Sequence, residues 1–294
     1  MQTKQDIEKL LAGAGTTPNR RLGQNFLIDL NLMRFLVDTA NISDQDVVLE
    51  VGTGTASFTQ GIAEQCGHVV TVEYDDALYE IAKKQLEQFD NVTQFNRDVL
   101  ENKNAIHQDV LDAVQKARQT HAGRFLLVAN LPYNVGSCVM ANLITGPINA
   151  DGMYVTVQKE VADRMAASPN HDDYGTLSIL MAATGQVRVL RKLPPTVFWP
   201  RPQVDSAMVS YERNPIKLKE IHDMQTFREV IQLFMGHRRK MLKACVKFTQ
   251  NNLENIRNWN LIFDEAFVDP HKRPEEITSI QYIAIANLCY EQIR

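Results

Sequence analysis

The apolar positions of the first 213 residues fall into short runs separated by stretches of helical spacing. Asp46-Val47-Val48-Leu49-Glu50-Val51 is a compact apolar run that ends in glycines, as a strand buried on both faces does. His68 to Glu73, Val92 to Asn96, Phe125 to Ala129 and Met153 to Gln158 are read as further strands. Helices are expected between them, over Ser57 to Gln65, Asp75 to Gln88, Glu101 to about Gln119, and Glu160 to Ala167. Strand and helix alternate, which predicts right-handed crossovers and a parallel sheet with helices on both faces. Gln186 to Arg191 and Ser206 to Glu212 read as closing strands joined by a proline-rich loop. After Asn214-Pro215 the strand-like runs stop. Phe227, Val230, Ile231 and Phe234 recur at helical spacing, and the same periodicity runs on from there. The expected organisation is an α/β domain over residues 1–213 and a small all-helical domain over 214–294.

Composition agrees with this and narrows it. A chain of 294 residues with 44% hydrophobic and 22% charged residues can bury an ample core without a disulfide or metal staple. Lys4, Asp6, Glu8 and Lys9 argue against a secretory signal at the N-terminus, and no apolar run reaches membrane-spanning length. Cys66, Cys138, Cys245 and Cys289 are far apart and form no C-x-x-C pair, so reduced thiols in a cytoplasmic protein are expected. The histidines show no metal-ligand spacing, and no metal site is expected. Net charge is -4, but it is unevenly spread. From Asn214 onwards there are 12 Lys and Arg against 10 Asp and Glu, leaving 19 against 25 before it.

The candidate chemistry lies where strands end. In "LEVGTGTASF", residues 49 to 58, Gly52 and Gly54 permit a tight turn and close approach of a ligand to the backbone. The dinucleotide pattern G-x-G-x-x-G fails at Ser57. Glu50, Glu73 and Asp98 are carboxylates at or just after successive strand ends, the edge where ligands bind in such sheets. Glu73 is placed to accept both ribose hydroxyls and Asp98 to meet an adenine amino group, as an adenosylmethionine site requires. "NLPYNVGS", residues 130 to 137, follows the fourth strand directly. A plain turn could use the asparagine and the proline, but it has no need of a tyrosine at a fixed offset.

Several separate motifs, spread over nearly the whole chain, resemble those of the ribosomal RNA adenine dimethyltransferase family. "RRLGQNFLID" (20–29) resembles its N-terminal cofactor motif, "LEVGTGTASFT" its glycine loop, "VEYDDAL" its ribose motif and "RDVL" its adenine motif. "NLPYNVGS" resembles its catalytic loop, "FWPRPQVDSAMV" its substrate-side loop, and "FMGHRRKML" a signature in the helical domain of the rRNA enzymes. The resemblance implies a Rossmann-like S-adenosylmethionine-dependent methyltransferase sheet followed by a helical RNA-binding domain. It implies Asn25, Leu27, Gly52, Glu73, Asp98 and Asn130 as cofactor contacts. The substrate it implies is small-subunit rRNA in an immature small ribosomal subunit, dimethylated at N6 of two adjacent adenosines. Two positions depart from the family pattern, with Thr53 for a common proline and Ala56 for a common glycine.

The adenine amine is a poor nucleophile, whereas S-adenosylmethionine is a strong electrophile. Catalysis then needs alignment, and acceptors for the charge that develops on nitrogen. The Asn130 side-chain oxygen and the Leu131 carbonyl are expected as those acceptors, with Pro132 stiffening the loop and Tyr133 stacking on the base. By resemblance, Phe198 would close the other face of a base turned out of its stack. Arg238, Arg239, Lys240, Lys243 and Lys247 are expected on one helix, where Lys240, Lys243 and Lys247 share an i, i+3, i+7 face suited to phosphate. Arg188, Arg191, Lys192 and Arg201 form a second basic group beside the substrate-side loop, to which Arg20-Arg21 are expected to contribute. The rival readings are a large-subunit rRNA methyltransferase of the antibiotic-resistance type, a DNA adenine methyltransferase, and an assembly factor that binds RNA without needing catalysis. A monomer is expected.

Overall fold

The structure, a computed structural model, describes residues 1–19 and 22–294. Arg20 and Arg21 therefore lie outside the described residues. Two compact units are present, Met1–Ala162 with Arg188–Glu212, and Asp163–Val187 with Arg213–Arg294. The second unit includes Asp163–Val187, which the sequence pattern placed with the sheet.

The chain begins with α1 (Lys4–Gly13), whose first turn is closed by a reciprocal capping box between Thr3 and Asp6. The two-residue strand β1 (Phe26–Leu27) and α2 (Leu30–Ala40) follow, Asp29 capping the helix through the amides of Asn31 and Leu32. Next come β2 (Val47–Val51), α3 (Ser57–Ala63), β3 (His68–Glu73), α4 (Asp76–Leu86) and β4 (Val92–Asn96). Residues 100–106 then form a hairpin, β5 (Leu100–Asn102) and β6 (Ala105–Ile106), where a helix was expected from Glu101. Asn102 causes the difference, because its side chain accepts the Asn104 amide and turns the backbone. Helix α5 (Gln108–Thr120) starts only after that turn. The unit continues through β7 (Phe125–Asn130), α6 (Gly136–Thr145), β8 (Gly152–Gln158) and α7 (Lys159–Ala166).

Helix α8 (Thr176–Thr184), β9 (Gly185–Leu193), β10 (Phe198–Trp199) and β11 (Ser206–Arg213) complete the sheet region. The large sheet has strand order β4-β3-β2-β7-β8-β11-β9. Strands β4, β3, β2, β7 and β8 are parallel neighbours, and β11 runs antiparallel to β8. Strands β2 and β7 are buried along their lengths up to Asn130, which is why both read as unbroken apolar runs. Chain order reverses between β2 and β7, so the carboxyl ends of these central strands flank a crevice.

The second unit contains α9 (Pro215–Lys219), α10 (Met224–Met235), α11 (Leu242–Cys245), α12 (Trp259–Glu265) and α13 (Ser279–Ile293). Its core is aromatic. Phe234 sets its ring 6.1–6.3 Å from those of Trp259, Phe263 and Tyr282. Asp163–Val187 joins this core because the buried Tyr174 donates to the Ile277 carbonyl at 3.0 Å, and α8 packs on α13. Such long-range contacts leave no local signature, so the boundary was not visible in the chain pattern. Among the described residues no helix is long and apolar enough to cross a membrane.

Candidate active site

A cavity of about 300 Å³ opens at the carboxyl edge of the parallel strands. Val51, Gly52 and Gly54 line it after β2; Val72, Glu73 and Tyr74 line it at the end of β3. Asp98 and Val99 follow β4, residues 130–135 run from the last residue of β7, and the segment 22–26 leading into β1 forms a further wall.

The glycine loop is shaped by close approaches. Gly52 has φ +86° and Gly54 φ +59°, in the left-handed region that favours glycine. A Cβ on Gly52 would stand 3.1 Å from the Pro132 ring, and one on Gly54 would stand 3.2 Å from the Phe26 ring. The first glycine thus lets the loop after β7 close over the glycine loop. Glu73 stands beneath this turn. One of its carboxylate oxygens accepts the Gly54 amide at 2.8 Å and the other the Asp75 amide at 2.9 Å. Burial pushes its carboxyl above the usual range, and those amides partly offset the shift. Each oxygen keeps a second lone pair that can accept a further hydrogen bond. Asp98 turns the chain by accepting the Leu100 amide and sits on the cavity wall.

Glu50 does not reach this wall. It is buried in the sheet, where one oxygen accepts Thr59 at 2.6 Å and Thr71 at 2.7 Å, and burial pushes its carboxyl up to about 8. Thr53, in place of the proline common in the family pattern, bonds the Thr71 hydroxyl at 2.6 Å and so ties the loop to this buried chain. Ala56, in place of a glycine, has φ 66° and packs with Ala82 and Leu86. Its methyl group gains contacts but bears the left-handed penalty of roughly 1–2 kcal/mol. Gln2 braces the same loop from the N-terminal side, donating to the Thr55 carbonyl at 2.8 Å and accepting from the Thr55 hydroxyl at 2.7 Å. No sequence signal pointed to Gln2, because the contact spans more than 50 positions.

The catalytic loop is positioned at its first residue. Asn130 is the last residue of β7, level with Thr156 on β8, and the Leu131 amide donates to the Thr156 carbonyl at 3.1 Å. The Asn130 Nδ2 donates to the Asn25 carbonyl at 3.0 Å. A carbonyl can only accept, so this bond fixes which end of the amide is oxygen. That Oδ1 is buried and has no hydrogen-bond partner. Buried acceptors are seldom left bare, and this one belongs to a side chain on the wall of the cavity. Leu131, Pro132 and Tyr133 continue the wall. The Tyr133 hydroxyl is held by Ser206 at 2.7 Å, and burial pushes its pKa above the ordinary phenol value.

Asn25, Gly52, Glu73, Asp98 and Asn130 are thus brought together, but two expected residues are not. Leu27 is 6% exposed and lies in the core; side chains alternate along β1, so Phe26 faces the cavity and Leu27 faces away. Phe198 pairs with Leu27 across β1 and β10, is 1% exposed, and packs in the same core instead of closing the cavity. Trp199 is structural, stacked on Phe26 with centroids 6.3 Å apart. Tyr74 was not anticipated. It lines the cavity with 61% of its surface exposed, and its signal was an aromatic directly after the acidic strand end.

The basic residues do not share one helix. Helix α10 ends at Met235, beyond which the His237 amide turns to the Phe234 carbonyl at 3.0 Å and His237 Nδ1 takes the Leu233 carbonyl that the helix would have bonded. Arg238, Arg239 and Lys240 are on the ensuing turn, Lys243 on α11, and Lys247 on a 3₁₀ turn. Arg238 is engaged within the unit, donating to the Asp172 carbonyl at 2.8 Å and facing Glu275. Arg239, Lys240, Lys243 and Lys247 are exposed. In the first unit, Arg191, Lys192 and Arg201 are exposed, and the Arg191 guanidinium lies 4.6 Å above Phe35. Among the described residues no group of three or more His, Cys, Asp or Glu is placed to hold a metal.

The ribosomal RNA adenine dimethylase family model matches residues 15–288. Ribosomal RNA small subunit methyltransferase A of Bacillus cytotoxicus is 33% identical over 294 residues, covering 97% of this chain and 94% of the relative. The protein of the same name from Geobacillus thermodenitrificans is 32% identical, covering 95% and 94%. Among solved structures, a dimethyladenosine transferase from Plasmodium falciparum superposes with a TM-score of 0.71 at 19% identity, over 91% of this chain and 98% of that one. The 23S rRNA methyltransferase ErmE gives a TM-score of 0.60 at 19% identity, over 89% and 98%. These two likenesses bear on the fold alone. With the family model spanning most of its length and relatives at this identity, the chain belongs to the ribosomal RNA adenine dimethylase family.

Proposed function

We propose that this chain transfers methyl groups from S-adenosylmethionine to N6 of two adjacent adenosines, in a hairpin near the 3′ end of small-subunit rRNA. Its substrate is an immature small ribosomal subunit, and it acts as a cytoplasmic monomer without a metal. The observation that carries the reading is Asn130, which lines the cavity and whose buried Oδ1 has no hydrogen-bond partner. The relatives' names favour the small subunit over the large-subunit rival.

When bound, S-adenosylmethionine supplies a methyl group on a sulfonium centre. Gly52 and Gly54 would leave room for it beside the backbone, Glu73 would take its ribose hydroxyls, and Asp98 would meet its adenine amino group. The chain's own task is to hold the acceptor amine in line. Asn130 Oδ1 and the Leu131 carbonyl accept its hydrogens, which keeps the lone pair aimed and stabilises the positive charge that develops on nitrogen. Tyr133 gives the base a face to stack on. Incubation with labelled S-adenosylmethionine and unmethylated small subunits, with the modified bases mapped by reverse transcription, tests the reading. Absence of label at adjacent adenosines would overturn it.

Tyr133 separates ring from hydroxyl. Tyr133→Phe keeps the ring and loses the bond to Ser206, at a cost of about 1 kcal/mol in stability. Its methylation rate should stay within a few-fold of wild type. Tyr133→Ala removes the stack, worth about 1–3 kcal/mol, and should slow methylation by roughly 10-fold or more. Equal damage in the two variants, measured by single turnover, would reject the stacking role.

The exposed cations should carry the electrostatic part of RNA affinity. Combining Lys240→Glu, Lys243→Glu and Lys247→Glu should weaken binding and reduce the slope of log affinity against log salt by roughly 2–3. Affinity for S-adenosylmethionine should not change. An unaltered slope would show that these lysines are merely solvated.

A further inference from the structure

The second unit also holds an arrangement that phosphate binding alone does not use. His237 follows the end of α10, and its Nδ1 donates to the Leu233 carbonyl at 2.9 Å, which fixes the plane of the imidazole. The Phe248 ring lies on that plane, with centroids 4.2 Å apart and 15° between the rings. Phe248 is 43% exposed, so the stack stands at the surface and not in the core. The Lys240 ammonium is 5.4 Å from the Phe248 ring centre. Lys243 and Lys247 are exposed close by in the chain. Among the described residues, none of Arg239, Lys240, Lys243 and Lys247 meets a carboxylate.

A phenylalanine that needed only burial would turn inward. This one is instead propped outward by a second ring whose orientation is fixed from behind. An exposed ring among uncompensated cations has the chemistry of a single-stranded nucleotide site, with a π-face for the base and ammonium groups for the phosphates. Duplex RNA offers no free base face, because its bases are stacked on one another. An apolar protein partner fits less well, since the cores of such interfaces are depleted in lysine.

We propose that Phe248, backed by His237, stacks one unpaired base of the RNA substrate while Lys240, Lys243 and Lys247 meet the phosphates beside it. Lys240 rests over the ring in the free protein. Its flexible four-carbon stem lets it move onto a phosphate when the base arrives. This rests on reading the helical unit as RNA-facing and adds a contact of a different kind to it.

The test uses the full chain and unmethylated small ribosomal subunits, with affinity measured over a range of salt. Phe248→Leu should weaken binding roughly 5- to 100-fold, the range expected for losing one base–aromatic stack. Its salt slope should match wild type, because no phosphate contact is lost. Phe248→Trp should restore affinity. Thermal unfolding and S-adenosylmethionine affinity should be unchanged in both. Wild-type affinity in Phe248→Leu, beside weakened binding in the triple lysine reversal, overturns the platform and leaves the RNA-facing reading in place. Wild-type affinity in both overturns that reading as well. Equal loss in Phe248→Leu and Phe248→Trp also overturns the platform, since the ring would then matter for packing and not for stacking.

Discussion

Asn130→Ala is expected to lower the single-turnover methylation rate by roughly 10²–10³ while affinity for the small subunit is retained. The size follows from where the lost atom acts. Asn130 Oδ1 is buried, has no partner, and is held in place by the opposite end of its own amide, which is anchored on the Asn25 carbonyl. An acceptor fixed in advance costs no reorganisation when charge develops, so its removal falls mainly on the transition state. Because Asn130 also lines the cofactor cavity, the assay should use saturating S-adenosylmethionine. The alanine variant breaks one side-chain hydrogen bond and should fold. A near-normal single-turnover rate would exclude Asn130 as the acceptor.

Glu73→Ala is expected to raise the dissociation constant of S-adenosylmethionine by roughly 10² or more. Two hydrogen bonds from ribose to a carboxylate are at stake, each worth about 1.5–3 kcal/mol. Glu73→Gln should be nearly as damaging. Both oxygens of Glu73 already accept backbone amides, so a glutamine must turn its NH₂ group toward either the Gly54 or the Asp75 amide. Isothermal titration can measure both variants, with thermal unfolding to show that each is folded. Unchanged affinity in a folded variant would sink the ribose assignment.

What the chain pattern revealed, and what it hid, divides along physical lines. Strands β2, β3, β7 and β8 were readable because each is mostly a short apolar run closed by a polar or glycine residue, whereas β4, Val-Thr-Gln-Phe-Asn, was readable only from its place in the alternation. The residues after those strands were readable for the same reason, since the carboxyl edge of a parallel sheet is fixed once the strands are known. Leu27 and Phe198 were misplaced because they sit on two-residue strands that pair across more than 170 positions, and only that pairing decides which of two neighbours turns inward. Lys240, Lys243 and Lys247 kept their exposure but lost their helix. Periodicity could not register that His237 spends its imidazole on the last turn of α10. Gln2 and Tyr174 act through contacts with distant parts of the chain, and neither belongs to a motif.

The hydrogen bond from Asn130 to the Asn25 carbonyl also links two binding events. Both residues line the cavity, and on the proposed reading Asn25 would meet the cofactor and Asn130 the base to be methylated. Any ligand that steadies the 22–26 segment steadies the catalytic amide, and a base held by that amide steadies the segment in return. Thermodynamic reciprocity then requires that whatever factor S-adenosylmethionine adds to the grip on the target adenine, the adenine adds to the grip on S-adenosylmethionine. Methylation consumes an N–H of the amine and alters that contact. The thioether product and the modified base therefore each lose part of the support that their precursors lent one another, which favours exchange of both between successive transfers.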